Sequence, residues 1–282
     1  MKVYEIITDR IMEKLEQGCV PWHQPWAGNS EYPKNLVTKK EYRGINVYML
    51  ACAGFASPFW ASYKQIKELG GNVNKSEKGW PVVFWKFIDE DDPDDNKKHI
   101  PLLRYYTVFN IDQTSGIDEK KIPETAAKYN EMEKLAQCEA VVLAMPQRPE
   151  ITYNDQRGAS YTHSKDRVNM PQMEAFDGAE EYYSTLFHEL THSTGHESRL
   201  NRKGIISGTA AFGTKEYSKE ELIAEMGAAF LCGHCQIDNK TIDNSAAYIK
   251  SWLKQLKDDP KMVILAAAQA QKAADFILGI EK

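Results

Sequence analysis

His188-Glu189-Leu190-Thr191-His192 constrains this chain more than any other stretch. Residues four apart share a helix face, so both imidazoles can reach one cation. The glutamate between them is displaced along the helix, where its carboxylate can polarise a water held by that cation. Such a pattern arises by chance in roughly one chain in a hundred, so its surroundings decide what it is. Asp177-Gly178-Ala179-Glu180 has the spacing of a capping box. Tyr183, Leu186, Phe187, Leu190 and Thr194 then recur at helical intervals, and Gly195 supplies a C-terminal cap. The spacing predicts an amphipathic helix that carries both histidines in its last turns.

A catalytic zinc site takes three protein ligands and leaves one position open. His196 follows the glycine, where the chain has already turned. The tenth residue after His188 is Ser198, which excludes the metzincin pattern. A second helix is expected from Ser218-Lys219-Glu220-Glu221, read as a capping box, with Leu222, Ile223, Met226, Ala229 and Phe230 as its apolar stripe. Glu225 lies mid-helix between Ala224 and Met226, where a carboxylate is costly to bury without a cation or a partner. It is the expected third ligand, with Glu221 and His196 as the alternatives. His188, His192 and Glu225 would hold Zn2+, or Mn2+ or another divalent metal. Glu189 would be the general base that draws a proton from the activated water. The stretch from Tyr161 to Pro171 reads either as a sheet edge for an extended peptide or as a loop with a short strand.

No apolar run approaches the roughly 20 residues that span a bilayer, and the first ten residues are too charged for a signal peptide. A cytoplasmic protein without a membrane partner is expected. Five dispersed cysteines, at 19, 52, 138, 232 and 235, argue against a secreted disulfide framework. Cys232 and Cys235 fall at a helix C-terminus, where the dipole disfavours a thiolate, so they read as structural. The net charge of −5 hides an asymmetry: residues 1–88 hold 12 basic and 8 acidic side chains. The break falls at the acidic run from Asp89 to Asp95, read as a solvated loop, and five of six tryptophans precede it.

Before that run, helical spacing marks Tyr4 to Glu16, closed by Gly18, and a helix from Val47 to about Ala53. Another helix is expected to start in Pro58–Gln65. A hairpin over 73–80 leads to strands at 81–87 and 102–110, closed by a turn at 111–113. Amphipathic helices are expected around Tyr248–Leu256 and Val263–Ile280. Aromatic rings interleaved with Lys and Arg suit single-stranded nucleic acid, although tryptophans are as readily core.

Pro21-Trp22, Pro25-Trp26, Pro33, Asn35, Tyr42, Gly44-Ile45-Asn46, Trp60, Gln65, Lys78-Gly79 and Val108 to Gln113 resemble the N-terminal domain of the ArdC antirestriction family. His188 to His196, Arg199-Leu200 and Glu220 to Glu225 resemble that family's zincin-like, SprT-like metallopeptidase domain. The resemblance implies an α+β fold. A mixed α/β domain that binds single-stranded DNA, residues 1–125, would precede a mostly helical metallopeptidase domain with a small sheet, residues 126–282. It implies a protein of mobile elements that enters a recipient with single-stranded DNA and counters restriction. Within the matched first region, Trp22, Trp26, Lys34, Asn35, Arg43, Asn46, Trp60 and Lys78 are the candidate DNA contacts. Carried over by motif, His188, His192 and Glu225 would be the metal ligands and Glu189 the base. Two functions fit: a zinc peptidase tethered to DNA, and a non-proteolytic DNA-binding shield whose metal is mainly structural.

Overall fold

Ile7, Ile11 and Leu15 recur at helical spacing, and the helix they specify, α1 (Val3–Glu16), buries that stripe. Gly18, at φ 77°, lets the chain leave it. The computed structural model describes residues 3–23, 31–90, 98–125, 127–153, 158–202, 215–239 and 245–281. Candidate contact Trp26 and the acidic run beyond Glu90 lie outside them.

The first segment is a four-stranded sheet in the order β1 (Lys34–Asn35), β2 (Phe59–Ser62), β5 (Lys98–Asn110), β4 (Trp80–Glu90). β1 and β2 run parallel, and the other pairs are antiparallel. Helices α2 (Ile45–Ala51) and α3 (Tyr63–Glu68) pack on it. The expected helix at Pro58–Gln65 splits in two. Trp60, Ala61 and Ser62 pair with β5, and only at Ser62 does a capping box with Gln65 open α3. β3 (Asn72–Val73) pairs with β6 (Thr114–Ser115) beside the main sheet. β4 is an edge strand, and Asn46 of α2 plugs that edge. Its amide donates to Val83 O and accepts from Val83 N, each at 2.8 Å, in place of a neighbouring strand.

The second segment opens with α4 (Glu131–Ala144), capped reciprocally by Asn130 and Glu133. A small sheet follows in the order β7 (Glu150–Tyr153), β9 (Arg167–Met170), β8 (Ser160–Thr162). Residues 161–171 therefore hold part of an edge strand and all of the central one, joined by a turn at left-handed Asp166. Four helices complete the segment: α5 (Ala179–Ser193), α6 (Lys215–Cys235), α7 (Ala246–Asp258) and α8 (Met262–Ile277). Both expected capping boxes fail here. Gly178, not Asp177, is the N-cap of α5, and Glu181 accepts from Asp177 N at 2.7 Å. α6 starts at Lys215, three residues before Ser218, so Glu221 has no cap to serve.

The largest core cluster runs through both segments, from Ile7 and Ile11 of α1 to Val263 and Ile277 of α8. Polar ties follow the same route: Thr8 Oγ1 donates to Pro260 O at 2.6 Å, and Tyr48 OH to Met226 O at 2.6 Å. Among the described residues no helix is long and apolar enough to cross a membrane.

Candidate metal centre

α5 and α6 cross where a side chain is missing. A Cβ on Gly227 would stand 2.4 Å from Thr191 Cγ2, so only glycine permits this approach. The crossing brings Glu221 of α6 to both histidines of α5. His188 Nε2 and His192 Nε2 lie 3.1 Å apart, and Glu221 reaches them at 3.6 Å and 3.5 Å. Tetrahedral zinc with bonds of about 2.0–2.1 Å sets its ligand atoms about 3.3 Å apart, so the two imidazoles and the Glu221 carboxylate, which turns Oε2 to His188 and Oε1 to His192, fit one cation. Among the described residues, His188, His192 and Glu221 are the group able to hold a metal ion.

The surroundings are anionic. His192 turns Nδ1 to Glu220 Oε1 at 3.4 Å, which aims Nε2 at the cluster. Burial opposes a charge on His192, but Glu220, Glu221 and Glu189 together push its pKa up to about 9. Burial likewise works to raise Glu220, and its contacts with His192 and Arg202 hold it below the usual range. Arg202 donates to Glu220 Oε1 at 2.6 Å and to Thr191 O at 2.9 Å, binding the end of α5 to α6. Glu189 is buried beside these groups, one residue from His188.

Glu225, the ligand expected from the sequence, is engaged elsewhere. Its Oε2 accepts from Trp22 Nε1 at 2.9 Å and from Tyr248 OH at 2.5 Å. Burial drives its pKa up to about 7 against these two donors. The requirement of a partner for a carboxylate here was read correctly, but the partners are a tryptophan and a tyrosine. His196 is also apart, with Nδ1 2.8 Å from Ser198 Oγ and its ring tilted against that of His163, centroids 5.0 Å apart. Arg199 ties Asp166 to Ser193 O and Gln147 O, a clamp between the small sheet and the end of α5. The sequence reading missed Glu220 and Arg202. The acidic pair Glu220-Glu221 is the local signal for them, and the capping-box pattern gives Glu221 a competing task.

The expected DNA contacts are mostly withdrawn from the surface. Trp22 is 0% exposed and Trp60 1%, the latter packed with Tyr42, Leu50, Val82 and Val108. Asn35 is buried and bonded to Gln65, and Asn46 closes the edge of β4. Arg43 pairs with Asp275, and Lys34 with Glu31 at 2.6 Å. Lys78 is exposed.

Fold and site together define a two-domain α+β protein with a zincin-like metallopeptidase domain at its C-terminal end. Residues 137–269 match the MPTase-PolyVal family, zincin-like metallopeptidases, and residues 1–109 match ArdcN, the N-terminal domain of anti-restriction factor ArdC. The metal-free crystal structure of antirestriction ArdC protein from R388 plasmid is 39% identical, with a TM-score of 0.77 over 98% of this chain and 97% of that one. Its Mn(II)-bound form is 38% identical, with a TM-score of 0.76 over 99% and 98%. The chain belongs to the ArdC antirestriction family. It is also 33% identical over 300 residues to a DNA primase TraC of Escherichia coli, spanning 99% of this chain but 27% of the primase. The uncharacterized protein y4eC of Sinorhizobium fredii is 32% identical, over 98% of this chain and 91% of that protein.

Proposed function

We propose that this protein protects incoming mobile-element DNA from restriction in the recipient cytoplasm, by binding it single-stranded and hydrolysing proteins met there. The observation that carries the peptidase part is the convergence of His188, His192 and Glu221 beside the buried carboxylate of Glu189. A divalent cation in that cluster would act as a Lewis acid and activate water towards an amide carbonyl. Two imidazoles and a carboxylate suit Zn2+, and the R388 relative has been crystallised with Mn(II).

The chain's own groups have separable tasks. Glu189 takes a proton at its carboxylate and returns it to the departing amine nitrogen. Glu220 fixes the His192 tautomer through Nδ1, and Arg202 holds Glu220. Glu225, pinned by Trp22 and Tyr248, joins the first domain to the wall of the site.

Glu189→Gln tests this reading, because it keeps shape and removes the base. Metal content and DNA affinity should match the parent, while protection of a conjugated plasmid against a restriction host should be lost. Full protection by the variant would favour the non-proteolytic shield.

A further inference from the structure

Four of the large hydrophobic side chains that stand exposed are Phe84, Trp85, Tyr105 and Tyr106, all on the β4–β5 ribbon. Side chains alternate between the faces of a strand, so the register sorts them. Val82 pairs with Tyr106, Phe84 with Arg104 and Lys86 with Leu102, which places Phe84, Lys86, Arg104 and Tyr106 on one face. Val83, Trp85, Leu103 and Tyr105 share the other. Only the first face combines rings with cations. In the stretches 79–86 and 101–108 the charged residues are Lys86 and Arg104, and neither stretch has an acid.

We infer that the Phe84–Tyr106 face of the β4–β5 ribbon, with Arg104 and Lys86, is where single-stranded DNA stacks its bases. This location rests on the DNA-binding part of the function proposed above. The rings are diagonal neighbours, with centroids 5.8 Å apart and planes inclined at 60°, both open to solvent. Their base is stiff. Beside them on the same face Val82 and Val108 are 0% exposed, and the Tyr106 hydroxyl meets Tyr42, which Asn35 holds in turn. Two fixed, exposed rings flanked by two cations suit unpaired bases, whose faces stack on single rings while phosphates track the charges. In a duplex those base faces are already covered.

The test uses the full chain and fluorescence anisotropy with a labelled oligo(dT) of about 20 nucleotides. Phe84→Ala with Tyr106→Ala should weaken binding at least about tenfold and leave the salt dependence unchanged. Arg104→Ala should weaken binding and lower the slope of log K against log salt by about 0.7. Phe84→Trp should retain affinity, and Trp85→Ala, on the opposite face, should stay within about twofold of the parent. All four side chains are exposed, so thermal melts should match. Parental affinity in the double variant, or an equal loss from Trp85→Ala, overturns the location while DNA binding stands. Failure of the parent to bind, or equal binding of duplex, overturns the location and the DNA-binding reading together.

Discussion

Glu221 and Glu225 share one face of α6 and differ by a single turn, about 5.4 Å along the axis. That distance decides which of them meets the cation. Glu221→Ala should lower affinity for Zn2+ or Mn2+ by more than about a hundredfold, a larger loss than removal of an outer partner causes. Glu225→Gln, which leaves the cluster intact, should stay within about tenfold. Competition with a chromogenic chelator measures both, and the reverse order would restore the ligand set expected from the sequence. The histidines were legible because their spacing lies within one helix. The carboxylate that stands beside them was not, because periodicity gives the face of a helix but not which turn meets a neighbour. Cys19 supplies a second prediction at this scale. The Cys52 thiol hydrogen-bonded to it lowers its pKa to about 6, with partial burial opposing and Lys14 assisting. Alkylation by iodoacetamide should therefore rise with a midpoint near that value. An ordinary thiol titrates near about 8.5. Cys52→Ala should move the midpoint upward, and a parental midpoint above 8 would refute the assignment.

Between elements, the contact that matters most is the α5–α6 crossing at Thr191 and Gly227. Thr191 is fully buried and gives its hydroxyl to Phe187 O at 2.7 Å, so it cannot step aside cheaply. Glycine inside a helix costs about 1 kcal/mol against alanine, and here it allows the backbones to approach. Gly227→Ala gains that propensity but forces a methyl group against Thr191. We expect a net loss of about 1–3 kcal/mol, the usual range for overpacking, and a weaker metal site because Glu221 moves with α6. Thermal unfolding with and without metal checks both, and a stabilised variant with unchanged metal affinity would contradict the account. Most helices and both long strands of the first sheet were legible from periodicity, as at Ile7, Ile11 and Leu15. Start points were less so. Ser218 has every local mark of a cap, yet α6 begins at Lys215. Pairing with β5 made a strand of Phe59–Ser62, and nothing local to those residues announces that partner.

At the scale of the whole molecule, sequence similarity divides the chain where packing does not. The two family regions, residues 1–109 and 137–269, are separate in sequence, but the hydrophobic core runs through both. Ile7 and Leu15 of α1 are 0% exposed and share a cluster with Leu256 of α7 and Val263 of α8. Trp22 stands edge-on to Trp252, with ring centroids 6.0 Å apart, and is bonded to Glu225. Burial of Trp22 was illegible for this reason: its partners come more than 200 residues later. A fragment of residues 1–125 would expose the α1 stripe and Trp22 to water, at about 25 cal/mol for each Å2 of apolar surface uncovered. It would also leave the indole N–H of Trp22 without its acceptor. What remains is the four-stranded sheet, the β3–β6 pair and two short helices, α2 and α3, with the small clusters around Trp60 and Ile66 as the intact core among the described residues. The fragment should therefore lack a cooperative thermal transition and exchange most α1 amides quickly, whereas the full chain protects them. If it melts cooperatively and binds oligo(dT) like the parent, the shared core adds little to folding.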